Sequence, residues 1–357
     1  MSNPSGAQAP RSAGPPAAPG SPVTPGSPVR RVGLFGAGTI GSGWAATYLA
    51  RGYEVLVFDP AASAEQRTRS YLDQVWSQVR RATPGAAASV PHADLRFVPA
   101  EDVVRAVELV HENGPEDVAA KQAIFAVIEQ SAPDDLVICS SSGGLMPSEL
   151  QARMTHPHRL VVAHPLSPVY ALPLVEVLGG RQTSEATVEF ALAHLAGLDK
   201  KPIRLRREVP GYLTNRLTFA LLREAVHCLA EGVADAQGIE DAVVYGVTPR
   251  YAVGGPLTSL ALAGGQAGMK GAMDSFAPAI ETWWSDLGSP HLTDEVKAIL
   301  IEAAATVLGG RTMAEAVAER DQATVDVVAL LHGAGSGTVT GAIDGNQADQ
   351  AAQAERE

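Results

Sequence analysis

The chain has 357 residues and a mass of 37.1 kDa, more than one hydrophobic core usually supports, so we expect about two domains. Hydrophobic residues make up 46% of it, charged residues 18%, and the mean hydropathy is +0.04, which is typical of a globular protein and excludes a fibrous or wholly disordered one. The formal net charge of -12, without any basic run, disfavours nucleic acid as a partner.

Membrane and metal-binding classes are also disfavoured. No apolar stretch approaches the roughly 20 residues that a bilayer-spanning helix needs. Cys139 and Cys228 lie far apart in hydrophobic surroundings, which argues against a disulfide scaffold and favours a reducing cytoplasm. His227 precedes Cys228, but helix neighbours diverge by about 100° and no further ligand pattern appears, so we predict no metal site.

Residues 1–29 contain eight of the 25 prolines among Gly, Ser and Ala, and this composition predicts a disordered tail. The tail has no continuous apolar region, so we do not read it as a signal peptide.

A β-α-β unit comes next in the chain. Val32 to Phe35 predict a strand, Gly36 to Gly41 a glycine-rich turn, Trp44 to Leu49 a helix, and Glu54 to Phe58 a second buried strand. Further strand-length apolar runs are separated by helical or turn segments: Leu95 to Val98, Val107 to Val110, Leu136 to Ile138, Leu160 to Ala163, Leu174 to Leu178 and Pro202 to Leu205. We therefore predict an α/β fold with a Rossmann-type, doubly wound, mostly parallel sheet over residues 30–208.

The pattern changes at Val209. From Tyr212 onward apolar residues recur at helical intervals, and no convincing strand appears up to about His332. We predict an all-α domain over residues 209–332 and a second disordered tail over residues 333–357.

The glycine-rich turn has the form GxGxxG, made by Gly36, Gly38 and Gly41. The turn lies between a strand and a helix, and Asp59 comes after the second strand, 21 residues beyond Gly38. These two observations together favour a dinucleotide site over a chance turn. Asp59 would accept hydrogen bonds from ribose hydroxyls and repel a 2'-phosphate, so the predicted cofactor is NAD rather than NADP. The alternative is a structural turn in which Asp59 only caps the next segment of the chain.

His164 lies at the end of one apolar strand, and Glu176 lies inside the next apolar run. A carboxylate in a buried strand needs a partner. If the two strands are neighbours, Glu176 can orient the imidazole, and such a pair could remove the proton of an alcohol during hydride transfer. From spacing alone, a purely structural role for His164 stays equally open.

Four segments together resemble the 3-hydroxyacyl-CoA dehydrogenase family over residues 30 to about 300: Gly36 to Gly41, Ala163 to Pro168, Pro173 to Val177 and Val209 to Arg216. The resemblance implies that His164 is the general base and Glu176 its partner. It also implies that Asn215 contacts substrate in the active site and that Glu116 and Lys121 lie near the nicotinamide. Without it, Glu116 and Lys121 would be ordinary solvated helix residues.

The implied cofactor contacts comprise the turn and its partners: Gly36, Ala37, Gly38, Thr39, Ile40, Gly41, Asp59, Glu116 and Lys121. The resemblance also implies that the helical domain closes the cleft and forms a homodimer.

Within the family, three segments resemble the bacterial L-carnitine dehydrogenase branch, with the gulonate dehydrogenase and lambda-crystallin branch second. They are Pro168 to Val177, Ala261 to Met269 and Leu292 to Glu295. A trimethylammonium substrate could be held by aromatic faces, although packing is the commoner role of such residues. The candidates are Tyr170, Tyr212, Tyr251, Phe276, Trp283 and Trp284.

Two positions depart from the family pattern. Gly143 stands where the family has a substrate-contacting Ser, and Ser167 stands where it has Asn. Ser142 could substitute for the missing hydroxyl through a local shift, so Ser142 and Ser167 are the candidate substrate residues. Three hypotheses remain: a carnitine dehydrogenase with a rearranged turn, an enzyme for another 3-hydroxy acid or carrier-bound acyl thioester, or a weakly active or inactive NAD-binding protein.

Overall fold

The computed structural model describes residues 30–333, which divide into two compact units, the first ending at Pro210 and the second beginning at Gly211. The boundary predicted before Val209 lies two residues from this division. The predicted tail of residues 1–29 lies outside the described residues, as do residues 334–357 of the second predicted tail. Gly333, which the prediction placed in that tail, is the last residue of a helix.

The first unit contains one eight-stranded sheet in the order β3-β2-β1-β4-β5-β6-β7-β8. Neighbouring strands are parallel except β6 and β7, which are antiparallel. Its strands are β1 (Arg31–Phe35), β2 (Glu54–Phe58), β3 (Leu95–Phe97), β4 (Leu109–Glu112), β5 (Val137–Ser140), β6 (Leu160–Pro165), β7 (Leu174–Gly179) and β8 (Lys201–Arg204). Because the central strands are covered on both faces, they are runs of buried apolar residues rather than alternating ones.

Helices flank this sheet: α1 (Thr39–Leu49), α2 (Ala64–Ala82), α3 (Ala100–Ala106), α4 (Val118–Glu129), α5 (Pro147–Leu150) and α6 (Glu185–Ala196). The sequence sets several of their boundaries. The side chains of Asp117 and Ser184 accept the N–H groups of Ala120 and Thr187, so they cap α4 and α6. Crossover helices between parallel strands bring the carboxyl ends of β1, β2, β4, β5 and β6 to one edge of the sheet, where ligands bind in open α/β folds.

Several strands extend beyond the predicted apolar runs, and β4 and β6 do so into polar residues. β4 begins at Leu109 rather than Val107 and continues through His111 and Glu112, both fully buried. Val107 is instead the residue that ends α3 in an extended conformation. β6 continues through His164 to Pro165. The apolar pattern ends before His111 and His164, but the backbone continues in the sheet. The polar side chains at these strand ends have buried partners.

The second unit is helical throughout its described part: α7 (Thr214–Ala230), α8 (Ala236–Asp241), α9 (Thr248–Ala263), α10 (Gly268–Asp286), α11 (Asp294–Leu308) and α12 (Met313–Gly333). α9 is interrupted at Gly255, whose φ of 60° is left-handed, just before Pro256. The predicted fold class, a Rossmann-type sheet followed by an all-α domain, is confirmed.

Within residues 30–333, each helix is too short or too polar to span a bilayer. The expected cytoplasmic location stays a prediction.

Candidate functional site

The glycine-rich turn joins β1 to α1 at the carboxyl edge of the sheet, and two of its glycines cannot be replaced without strain. Gly36 has a φ of 93°, and a Cβ there would lie 2.8 Å from the carbonyl oxygen of Asn113. A Cβ on Gly41 would lie 2.0 Å from the carbonyl oxygen of Gly36, so the first turn of α1 packs directly on the strand end. The turn is therefore too tight for a side chain at either of its ends, Gly36 or Gly41.

The space above Gly38 differs from that at the other two glycines. Gly38 is the N-cap of α1, and a Cβ on it would meet no atom within 4 Å. An open approach to a helix N-terminus, between two tightly packed glycines, fits a pyrophosphate, which the N–H groups and the helix dipole would hold. Ala37, Thr39 and Ile40 complete this turn. The residues present therefore fit the phosphate portion of NAD.

Asp59 comes directly after β2 and contacts the same turn. Its Oδ2 accepts the N–H of Ala37 at 2.8 Å, and its Oδ1 accepts the N–H of Ala61 at 2.9 Å. The carboxylate thus links the glycine-rich turn to the segment after β2. Both functions that the sequence left open, capping of the next segment and recognition of ribose, are compatible with this position.

A buried ion pair lies at the ends of β4 and β5. Lys121 of α4 is 1% exposed, and its Nζ donates to Glu112 Oε1 at 2.9 Å and to Oε2 at 3.0 Å. Glu112 also accepts the N–H of Gly114 and the hydroxyl of Ser140. Lys121 is therefore not a solvated helix residue but the partner of a buried carboxylate that the sequence analysis did not single out. The signal that could have found Glu112 is a charged residue ending an apolar strand shortly before a lysine.

Glu116 supports the turn after β5. It precedes α4 and lies outside any helix, contrary to the helical position expected without the resemblance. Its Oε1 accepts the hydroxyl of Ser142 at 2.7 Å and the N–H groups of Gly143 and Gly144 at 2.9 and 3.0 Å. The Ser142 oxygen in turn accepts the N–H of Leu145 at 3.1 Å. Ser142 is thus engaged within the turn, and its assignment as a substrate residue stays a prediction.

His164 and Glu176 are brought together as a cross-strand pair. They are opposite each other in the antiparallel register of β6 and β7. The His164 Nδ1 lies 2.8 Å from Glu176 Oε2, and Glu176 is fully buried while His164 is 8% exposed. A buried carboxylate accepting from Nδ1–H fixes the tautomer in which Nε2 is the basic nitrogen, and it stabilises the imidazolium after proton transfer. This pair can act as a general base.

The remaining predicted residues occupy different surroundings. Ser167 is exposed in the connection between β6 and β7. Asn215 belongs to the second unit, where it is half-buried in the first turn of α7, after Gly211 and Tyr212 with φ values of 72° and 50°. Of the aromatic candidates, Tyr170 and Tyr212 are buried, whereas the other four are exposed: Tyr251, Phe276, Trp283 and Trp284. In the described part of the chain, no group of three His, Cys, Asp or Glu side chains could hold a metal ion.

Comparison with known proteins identifies the family. Residues 31–209 match the NAD-binding domain of 3-hydroxyacyl-CoA dehydrogenase, and residues 211–289 match its C-terminal domain. L-carnitine dehydrogenase of Burkholderia mallei is 41% identical over 297 residues, which are 83% of this chain and 92% of that protein. The L-carnitine dehydrogenase of Streptomyces coelicolor is 39% identical and covers 84% and 94%.

A solved structure, that of 5-formyl-3-hydroxy-2-methylpyridine 4-carboxylic acid 5-dehydrogenase, has a TM-score of 0.74 at 27% identity, covering 85% of this chain and 99% of that one. These matches extend over both units of the fold and agree with the geometry of the glycine-rich turn. The chain is an NAD-dependent oxidoreductase that belongs to the 3-hydroxyacyl-CoA dehydrogenase family.

Proposed function

We propose that this enzyme oxidises the secondary alcohol of a small 3-hydroxy acid to the 3-oxo acid, with L-carnitine as the first candidate substrate. The observation that carries the proposal is the buried hydrogen bond of 2.8 Å between His164 and Glu176 at the carboxyl end of β6. The named relatives support the choice of substrate, since L-carnitine dehydrogenases match over more than nine-tenths of their own length.

The proposed proton path uses only His164 and Glu176, which we call the dyad. Bound NAD would accept the hydride. His164 Nε2 takes the proton of the substrate hydroxyl, while Glu176 holds the Nδ1–H and stabilises the imidazolium that forms. Because Glu176 is fully buried, its negative charge acts in a medium of low dielectric, which strengthens this stabilisation.

Four further residues are proposed to shape the site. Asn215 would contact the substrate from α7, and Glu116 and Lys121 would lie on the nicotinamide side. The Glu112–Lys121 pair supports this arrangement because it fixes the start of α4 against the ends of β4 and β5. Ser167 would donate a hydrogen bond to the substrate from the loop after His164.

The substrate class is proposed from the relatives, and the charge of the protein is compatible with it. The net charge of -12 does not oppose the trimethylammonium group of carnitine, which is a zwitterion at neutral pH. Exposed aromatic side chains of the second unit could contact the trimethylammonium group, as Trp283 and Trp284 are 62% and 69% exposed. The alternatives are oxidation of a 3-hydroxyacyl thioester and a weakly active or inactive NAD-binding role.

The test is NADH formation by the purified enzyme with L-carnitine, L-gulonate and 3-hydroxybutyryl thioesters, with D-carnitine as the matched control for L-carnitine. We expect turnover with L-carnitine and at most a trace with its enantiomer. Preferential turnover of a thioester would replace the substrate in this proposal. Clear NAD binding without turnover of any compound would favour the inactive alternative.

We also propose that Asp59 sets cofactor choice. Asp59→Ala is expected to lower the preference for NAD over NADP, measured as the ratio of kcat/KM values, by at least about tenfold, because the repulsion of a 2'-phosphate is lost. The same change removes the acceptor for the Ala37 N–H, so NAD affinity should fall too. Asp59→Asn is the matched control, since it keeps an acceptor and removes the charge. An unaltered ratio in both variants would place selectivity elsewhere.

A homodimer formed by the second unit is proposed as well. Large apolar side chains are exposed along its helices, among them Leu217, Phe219, Leu257, Leu262 and Ile301. Apolar surface of this extent on a folded domain indicates a protein interface. Sedimentation equilibrium of the full chain should give twice the chain mass, and a monomer at micromolar concentration would contradict the proposal.

A further inference from the structure

Lys200 is a buried lysine at the end of the turn that follows α6. The N–H groups of Asp199 and Lys200 bond to the carbonyl oxygens of Ala196 and Leu195, at 3.0 and 3.1 Å. Asp199 has a φ of 54°, a left-handed conformation that Asp tolerates better than most residues and that ends the helix abruptly. After this turn Lys200 is 8% exposed, whereas its neighbour Lys201 is exposed.

The ammonium of Lys200 is held by main-chain oxygens. Its Nζ donates to the carbonyl oxygens of Val169 and Leu172, the latter at 3.0 Å, and lies 5.9 Å from the centre of the Trp44 ring. Burial, reinforced by the charge of Arg51, lowers the pKa of Lys200 to about 7. Keeping a lysine in such a place is costly, and the carbonyl dipoles and the aromatic face offset that cost.

Both carbonyls belong to one loop, residues 166–173, which connects β6 to β7. This loop is short and internally bonded, with the N–H groups of Ala171 and Leu172 both donating to Pro168. The strands that it joins carry His164 and Glu176. The loop is therefore continuous with both strands that carry the His164–Glu176 pair.

The loop also packs against α1. A Cβ added to Gly43 would lie 2.9 Å from the Cβ of Val169, so α1 and the loop are in close contact. α1 begins at the glycine-rich turn. Residues 166–173 are thus in contact both with the helix that begins at the cofactor turn and with the ammonium of Lys200.

We propose that Lys200 is a positioning residue for hydride transfer: by holding Val169 and Leu172 it fixes the 166–173 loop against α1 and so sets the His164–Glu176 pair relative to the NAD-binding turn. The proposal rests on the function proposed above. Lys200 acts through the loop and is not assigned any contact with substrate or cofactor.

The first arm of the test needs no substrate. Lys200→Met keeps an unbranched apolar side chain that is one heavy atom shorter and removes the donors, and Lys201→Met is the matched control. We expect amide hydrogen exchange at Ala171 and Leu172 to be at least about tenfold faster in Lys200→Met and unchanged in the control. Unchanged exchange in both would overturn the anchoring.

The second arm separates positioning from a merely structural role. With the substrate that the wild type oxidises, Lys200→Met should lower kcat by about 10- to 100-fold with NAD affinity unchanged. The isotope effect with substrate deuterated at the carbinol carbon should rise, because hydride transfer becomes slower. A structural role would lower the NAD-binding stoichiometry in proportion to kcat and leave the isotope effect unaltered, and that result would overturn the proposal.

Gly43→Ala provides a second variant if Lys200→Met folds poorly. It displaces Val169 through α1 and leaves Lys200 intact, so the same loss in kcat and the same rise in isotope effect are expected. Faster amide exchange at Ala171 and Leu172, with kcat and the isotope effect as in the wild type, would overturn the positioning role of the loop. A wild type without turnover would instead overturn the proposed function, and the exchange arm would still decide whether Lys200 anchors the loop.

Discussion

His164→Ala is expected to reduce kcat for alcohol oxidation by at least about 100-fold while leaving NAD affinity little changed. The alanine variant has no group at the end of β6 that can accept the hydroxyl proton. The glycine-rich turn, which would hold the phosphates, does not include His164. Steady-state kinetics and NAD titration of the same preparation measure the two quantities.

His158→Ala is the matched control, because His158 is an exposed histidine in the turn that leads into β6. Its kcat should equal that of the wild type. The kcat of Glu176→Gln should lie between those of His164→Ala and the wild type. The amide can still accept the Nδ1–H, but it carries no charge to stabilise an imidazolium. Near-normal turnover in His164→Ala would contradict the assignment of the general base.

Lys121→Met is expected to lower the free energy of unfolding by about 3 to 5 kcal/mol, because it leaves the carboxylate of Glu112 buried without a counter-charge. Glu112 would keep its hydrogen bonds from Gly114 and Ser140, which moderates the loss. Urea unfolding of the protein without NAD measures the change and keeps it separate from any effect on cofactor binding.

The double variant Glu112→Gln/Lys121→Met is the control for Lys121→Met. It removes both charges and keeps a side-chain acceptor for Gly114 or Ser140, so it should be more stable than Lys121→Met alone. If Lys121→Met is obtained only as an aggregate, recovery of folded protein in the double variant supports the same explanation. Equal stability of the two variants would show that the buried charge is not the cause.

The features that the sequence predicted are those with a local signature. The glycine-rich turn was recognisable because backbone sterics allow only glycine at Gly36 and Gly41. The dyad strands were recognisable as apolar runs, and the register of β6 and β7 places their two polar residues opposite each other. Pairing across the sheet needed only the assumption that consecutive strands are neighbours.

The features that were missed depend on contacts between distant segments. The predicted apolar run ends at Val110, two residues before Glu112, and only the fold brings Glu112 against Lys121 and Ser140. Lys200 and Lys201 are adjacent and identical in type, so no property of the residues themselves distinguishes the buried one. The left-handed turn at Asp199 makes that distinction, and it is a property of the folded backbone.

The turn after β5 is supported in a way that does not involve the side chain of one of its residues. Glu116 holds that turn mainly through the main-chain N–H groups of Gly143 and Gly144, which every residue except proline possesses. The support of the turn is therefore independent of which side chain residue 143 carries. A substitution of residue 143 by anything but proline therefore changes the side chain at this position and leaves the main-chain anchor of the turn in place.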